Sequence, residues 1–309
     1  MTTANPKPSK GRTWYQSLPI RTRETIVSYG FLAPALLFFV SFVVLPMGTG
    51  LITSFFDYTN KKFAFNWLDN YIKLFTNEQF LKSLRNTVVL VLGSVPVIVL
   101  FALFVSVMIY QRNAIVRSTF RGIFYLPVVT GTVSVVVVWK WIFDPISGVL
   151  NWVLMNMGVI DQEIIWLGDK RFALLAIMLV LFTTSVGQPI ILYVAALGNL
   201  DPTHVEAAEI DGANGWQVFR HIKWPGIMPT TLYVVVITTI NTFQCFSLVQ
   251  LLTSGGPNYN TSTIMYLLYE TAFKRFQFGY ANAMGVVLAV IIGVFSFLQF
   301  KYLGNEVNY

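Results

Sequence analysis

The placement of charge constrains this chain more than any single motif. Cut at every Asp, Glu, Lys and Arg, the sequence leaves six long charge-free intervals: 25–56, 86–111, 122–139, 172–200, 224–269 and 276–300. A charge at the bilayer centre is costly, and about 20 apolar residues of helix cross a hydrocarbon core about 30 Å thick. Each interval can hold such a helix, with spans centred near 30–52, 88–110, 122–142, 173–197, 230–252 and 281–303. The fold class this predicts is an all-α membrane protein with six transmembrane helices. The composition agrees, at 55% hydrophobic and only 11% charged residues, far more apolar than a soluble domain of this length needs. Residues 145–160 are too short and too rich in Asn and Gly to cross, and are assigned to the interface.

Six spans put both termini on one side. Residues 1–28, with Pro6, Pro8 and Pro19 and five basic side chains, predict a disordered basic cytoplasmic tail before a transmembrane domain at 29–309. The run behind the tail is of full span length with no small-residue cleavage site, so it is not a signal peptide. The tail and the short loop carrying Arg112, Arg117 and Arg121 favour the cytoplasmic side, although Lys and Arg divide almost evenly overall. The net charge of +7 is matched to membrane lipid headgroups, not to nucleic acid, since no exposed basic domain is large enough to bind it. Cys245, the one cysteine, excludes an internal disulfide and stands alone without metal-ligand spacing. No phosphate-binding loop of the G-x-x-x-x-G-K-[ST] type occurs, and no Ser, His and Asp set suggests an enzyme.

One stretch breaks the apolar pattern, "EAAEIDGANGWQVFRHIKWPGIMP" at 206–229. Asp201 before Pro202 predicts an N-cap with proline at the first helical position. Gly212 can end that helix in the left-handed conformation. Asn214 and Gln217 then form a capping pair for a second helix that buries Trp216, Phe219 and Ile222 and stops at Pro225, with Pro229 opening the next span. The result is a helical elbow with an acidic first limb (Glu206, Glu209, Asp211) and a basic second one (Arg220, His221, Lys223). On local chemistry alone, a plain interfacial hairpin is an equal reading.

The same stretch resembles the EAA loop of the membrane subunits of binding-protein-dependent ABC importers. Glu206, Ala207, Ala208, Asp211, Gly212, Ala213, Phe219, Ile222, Pro225 and Pro229 fall on the family pattern. "WKWIFDPISGVLN" and "LTSGGPNYNTSTIMYLLYETAFKRFQFGYANAMG" are similar to the MalF-like permeases that import sugars. The resemblance implies a type I ABC importer permease with a cytoplasmic coupling-helix elbow at 201–229, in a bacterial-type plasma (inner) membrane. Implied partners are a second, MalG-like permease, an ATPase dimer and an extracellular or periplasmic sugar-binding protein. ATP and Mg would be bound by the ATPase, and no cofactor by this chain. Glu206, Ala207, Ala208, Glu209, Asp211, Gly212 and Ala213 would meet the ATPase, whose closure would rock the spans between inward-facing and outward-facing states.

A substrate path has to be built from polar groups inside the spans, where they are expensive unless paired or wetted. At about 100° per residue, Thr238, Asn241, Thr242 and Cys245 share one face. Thr183 and Gly187 share another, and Gln188 precedes Pro189, where a kink would free backbone groups. The resemblance places Thr183, Gly187, Thr238, Asn241 and Thr242 near positions that touch sugar. Interhelical hydrogen bonding is the competing use of such residues. The absence of Arg and Lys inside the spans favours a neutral disaccharide or oligosaccharide over a glycerol-phosphate cargo. A secondary carrier working alone is a further alternative, against which stand the lack of an inverted repeat and of a buried carboxylate or histidine relay.

Overall fold

A computed structural model describes residues 19–304, except the side chain of Arg23. The chain divides into two units, one ending at Thr53 and the other starting at Ser54. The first contains one continuous helix, α1 (Ile20–Thr53), with a π-turn at Val40–Val44. The helix takes in residues 20–28, which the sequence assigned to a disordered tail. The rest of that tail, residues 1–18, lies outside the described residues.

The second unit opens with a hairpin, β1 (Phe56–Thr59) and β2 (Lys62–Phe65), paired antiparallel with Phe56 opposite Phe65. Helix α2 (Asp69–Thr76) leads into α3 (Glu78–Ile109). Asn77 caps α3, its side chain accepting from Phe80 N–H at 3.1 Å. Buried residues recur along α3 at helical spacing, through Leu90, Ser94, Ile98, Ala102, Val105 and Ile109, so one stripe of it faces the core throughout its length. Against it pack α8 (Gly187–Gly198) and α10 (Gly215–Phe243). Between them in sequence lie α4 (Ala114–Val129), α5 (Thr132–Ile142), α6 (Val149–Asn156), α7 (Ala173–Ser185) and α9 (Pro202–Ile210). The chain continues through α11 (Ser247–Leu252) and α12 (Ile264–Tyr269) to α13 (Phe278–Gly304).

Among the described residues, four helices are long and apolar enough to cross a membrane, α1, α3, α10 and α13, and six if each of two bent pairs counts as one. The third expected span, 122–142, is such a pair: α4 and α5 meet at 98°. Thr130 and Gly131 are both extended there, at φ/ψ of −72/130° and −57/140°, while the Thr130 hydroxyl donates to Leu126 O at 2.8 Å, beside the Thr130 N–H that already bonds it. Pro127 withholds one donor in the last turn of α4. In the fourth span, α7 and α8 bend by 42°. The bend sits at Val186, ahead of Pro189. Proline in the first turn of α8 removes a donor that has no intrahelical partner in any case.

The fifth expected span is displaced. Pro225 does not stop the elbow's second helix, because Gly215–Phe243 is one helix with a π-turn at Phe219–Lys223. That wide turn shifts the hydrogen-bond register just before Pro225, where Trp224 N–H reaches back to Phe219 O. At the other end the helix stops at Phe243 rather than near 252, and α11 follows after a break.

The segment 253–263 between α11 and α12 is held by side chains from the first turns of α3. Asn86 Nδ2 donates to Tyr259 O at 2.8 Å and to Ser262 O at 3.0 Å. Lys82 donates to Asn258 O at 2.6 Å, and Ile264 N–H donates to Thr87 Oγ1 at 3.0 Å. These side chains do for the loop what a strand partner would do. Asn86→Ala leaves two carbonyls without their donor, which costs about 1–3 kcal/mol for each buried group left unsatisfied. The variant should melt earlier than wild type and exchange amide hydrogens faster across 253–263. Equal melting temperature and equal protection would show that the loop is held by other contacts.

Candidate functional site: a helical elbow and an intramembrane cavity

The elbow forms as its local chemistry dictates. The Asp201 carboxylate accepts from Thr203 N–H at 2.9 Å and from the Thr203 hydroxyl at 2.8 Å. Those two bonds hold its carboxyl below the ordinary aspartate value. The cap is therefore fully present above the ordinary carboxylate range and is lost as pH falls through the lower, folded-state value. At the far end Gly212 has φ +83°. Its N–H bonds Glu209 O at 3.1 Å and Ala213 N–H bonds Ala208 O at 2.9 Å, the paired bonds of a Schellman motif. Asn214 and Gln217 then cap each other's backbone, Gln217 N–H to Asn214 Oδ1 at 2.9 Å and Asn214 N–H to Gln217 Oε1 at 2.7 Å.

The first limb, α9, buries no side chain. Glu206, Ala207, Glu209, Asp211 and Gly212 are exposed, and Ala208 and Ala213 are half-buried. Between the carboxylates stands Ile210, 86% exposed, and across the bend Trp216 is 66% exposed. Trp216 was expected to be buried. Val218 is the residue that turns inward instead. Sequence reasoning weighed the elbow by its charges and missed the apolar tip that Ile210 and Trp216 add.

Some 20 residues further along α10 is a cavity of about 120 Å³ between α8 and α10. Its polar wall comprises Thr184, Ser185, Gln188, Thr238 and Asn241, with Pro189, Leu192 and Ile237 among the apolar lining. No charged side chain lines it. Of the six path residues read from the sequence, Gln188, Thr238 and Asn241 come together here. Thr242 is buried one turn on, its hydroxyl donating to Thr238 O at 2.8 Å. Thr183 turns its hydroxyl back to Val180 O at 2.8 Å and is not on the wall. Gly187 is buried with the Phe124 carbonyl where its Cβ would stand, so it serves the crossing of α8 over α4. Thr184 and Ser185 were missed. The i, i+4 spacing of Thr184 and Gln188 was the available signal, and the bend at Val186 hid it.

With this geometry in view, known proteins can be compared. Residues 76–306 match the family described as binding-protein-dependent transport system inner membrane component. This chain belongs to that family. The chain is 35% identical over 293 residues to the probable ABC transporter permease protein YesP of Bacillus subtilis (strain 168), covering 93% of each. It is 31% identical over 279 residues to the lactose transport system permease protein LacF of Rhizobium radiobacter, covering 89% of this chain and 93% of LacF. A solved bacterial alginate ABC transporter, in complex with an alginate pentasaccharide-bound periplasmic protein, contains a chain that matches with TM-score 0.79 and 25% identity over 93% of this chain and 97% of that one. The protein is an ABC transporter permease with the type I importer fold, an inner-membrane transport component rather than an enzyme.

The close approach at Gly187 generates a test. Gly187→Val drives a side chain into the Phe124 backbone, an overpacking that costs about 1–3 kcal/mol. The yield and melting temperature of the permease should fall, while transport per surviving molecule and preference among cargoes stay as in wild type. A changed preference with normal stability would instead place Gly187 on the cargo path.

Proposed function

We propose that this chain is the MalF-like subunit of an importer that takes up a neutral disaccharide or oligosaccharide by ATP-driven alternating access. The observation that carries the reading is the continuity of α10. One helix, Gly215–Phe243, starts in the elbow and carries Thr238 and Asn241 on the wall of the cavity. A push on the elbow therefore reaches the cargo path through a single rigid element. The names of LacF and of the alginate transporter support a saccharide cargo. Amides and hydroxyls without a charged partner suit sugar hydroxyls, whereas a glycerol-phosphate cargo would call for Arg or Lys on the wall.

The exposed elbow supplies the contact with an ATPase dimer that binds ATP and Mg. Glu206, Glu209 and Asp211 offer carboxylates to a basic cleft around the apolar Ile210. In this reading the elbow and both termini are cytoplasmic. A MalG-like permease and a sugar-binding protein on the outer face complete the complex. The cavity's 120 Å³ is well below the roughly 300–1,000 Å³ of ligand pockets, as suits a path walled jointly with a second subunit.

Asn241→Leu keeps bulk and removes the amide. A lost hydrogen bond costs about 0.5–1.5 kcal/mol and more where its partner stays buried, so uptake per assembled complex should fall from several-fold to about a hundredfold, with altered preference between two sugars of different length. Unchanged preference and rate would take Asn241 off the path. Gly212→Pro cannot adopt φ +83° and removes the N–H that bonds Glu209 O. The prediction is a permease that reaches the membrane but loses ATP-dependent uptake or fails to retain the ATPase. Normal uptake would reduce the elbow to an interfacial hairpin.

A further inference from the structure

The cavity has two walls, and α10 explains the movement of only one. The other wall, α8, carries Gln188 and Pro189 and meets the elbow's first limb, α9, only through the non-helical residues 199–201, not through a continuous helix. A route to it runs through the end of α3. Lys223, the last residue of the π-turn, places its ammonium 5.1 Å from the centre of the Tyr110 ring, within cation–π range. Tyr110 is the C-cap of α3, its N–H bonded to Ser106 O at 3.0 Å. From the opposite side, Arg117 Nη1 of α4 donates to Tyr110 O at 3.3 Å. One turn back along α3, the fully buried Ser106 shares its single hydroxyl proton between Ala102 O at 2.7 Å and Ile190 O of α8 at 3.1 Å, a bifurcated bond that spans the two helices. Ile190 directly follows Pro189, so the route ends on the cavity wall.

We propose that Lys223, Tyr110 and Ser106 form a strut that carries movement of the elbow to α8, making them positioning residues for transport. The inference rests on the importer reading above. The π-turn is what aims Lys223. One extra residue in a turn rotates the helix on one side of it by about 100° relative to the other, and that rotation directs Lys223 at the α3–α4 turn. Just past the end of α8, Leu200 lies against Gly226 of α10, a contact that is apolar and non-directional. The Ser106–Ile190 bond is directional and buried, so it fixes the register of α3 against α8. With the strut intact, a shift of the elbow moves both walls together. With it cut, α10 moves and α8 lags.

The test uses the whole complex, permease pair, ATPase and binding protein, in proteoliposomes, and reads sugar carried per ATP hydrolysed. Lys223→Met and Tyr110→Leu remove the cation and the ring. Each should lower the ratio about two- to fivefold while the ATPase stays bound and active. Lys223→Arg and Tyr110→Phe keep a cation over a ring and should restore it. The Lys223→Met, Tyr110→Leu double variant should be no worse than the weaker single, and Ser106→Ala should lower the ratio with the elbow untouched. Normal ratios in Lys223→Met and Tyr110→Leu overturn the strut. So does a fall in assembly with normal ratios in the complexes that survive, because that is what a mere staple would give. A wild-type complex that hydrolyses ATP without taking up sugar overturns the importer reading itself, and the strut falls with it.

Discussion

A polar group inside an apolar medium is costly without a partner, and several hydroxyls in the helices of this chain find one locally. Thr231 donates to Ile227 O, Thr242 to Thr238 O and Ser106 to Ala102 O, each four residues back. Such hydroxyls cost little at membrane depth and make no claim on a ligand. The same constraint gives meaning to the exceptions. Gln188 and Asn241 are exposed and carry amides whose donors are not spent on the carbonyl one turn back. They face each other's helix across a cavity instead.

The constraint also governs where the backbone can break. The 98° turn between α4 and α5 is tolerable because Thr130 covers the Leu126 carbonyl twice, by its N–H at 3.0 Å and its hydroxyl at 2.8 Å. At Phe219–Lys223 the helix widens rather than breaks, which admits Pro225 without ending α10. In the segment 253–263, where Ser254, Asn258 and Tyr259 have positive φ, the backbone is bonded by α3 side chains. Irregular backbone is found where its polar groups keep partners, from the same helix at Thr130 and Phe219–Lys223 and from α3 at 253–263.

These rules explain what could be read in the sequence. The charge-free intervals located every long helix, because the cost of a charge in lipid acts on each residue separately. The elbow's ends were legible for the same reason: Asp201 before Pro202, Gly212, and the Asn214–Gln217 pair each act within three or four residues. The break at Thr130–Gly131 was not legible, since an apolar interval looks alike whether straight or folded. Pro225 misled, because a π-turn relieves the clash that a proline makes with a regular helix, and no residue type announces that turn. Thr183 and Thr184 differ by 100° on paper. Only the observed bend at Val186 decides which of them faces the cavity.

The elbow and the cavity make opposite uses of exposure. At the elbow, Ile210 and Trp216 are exposed beside the exposed carboxylates of Glu206, Glu209 and Asp211, so apolar and charged surface lie together there. In the cavity the polar groups are neutral and the volume small. The two regions share α10, one continuous helix from Gly215 to Phe243, while α8 is bonded to α3 through Ser106 and Ile190. Helices joined by directional hydrogen bonds resist sliding past one another, and helices joined only by apolar contacts resist it less. The few polar contacts between helices thus fix their register, while the extent of apolar packing sets how stably the helices stay together.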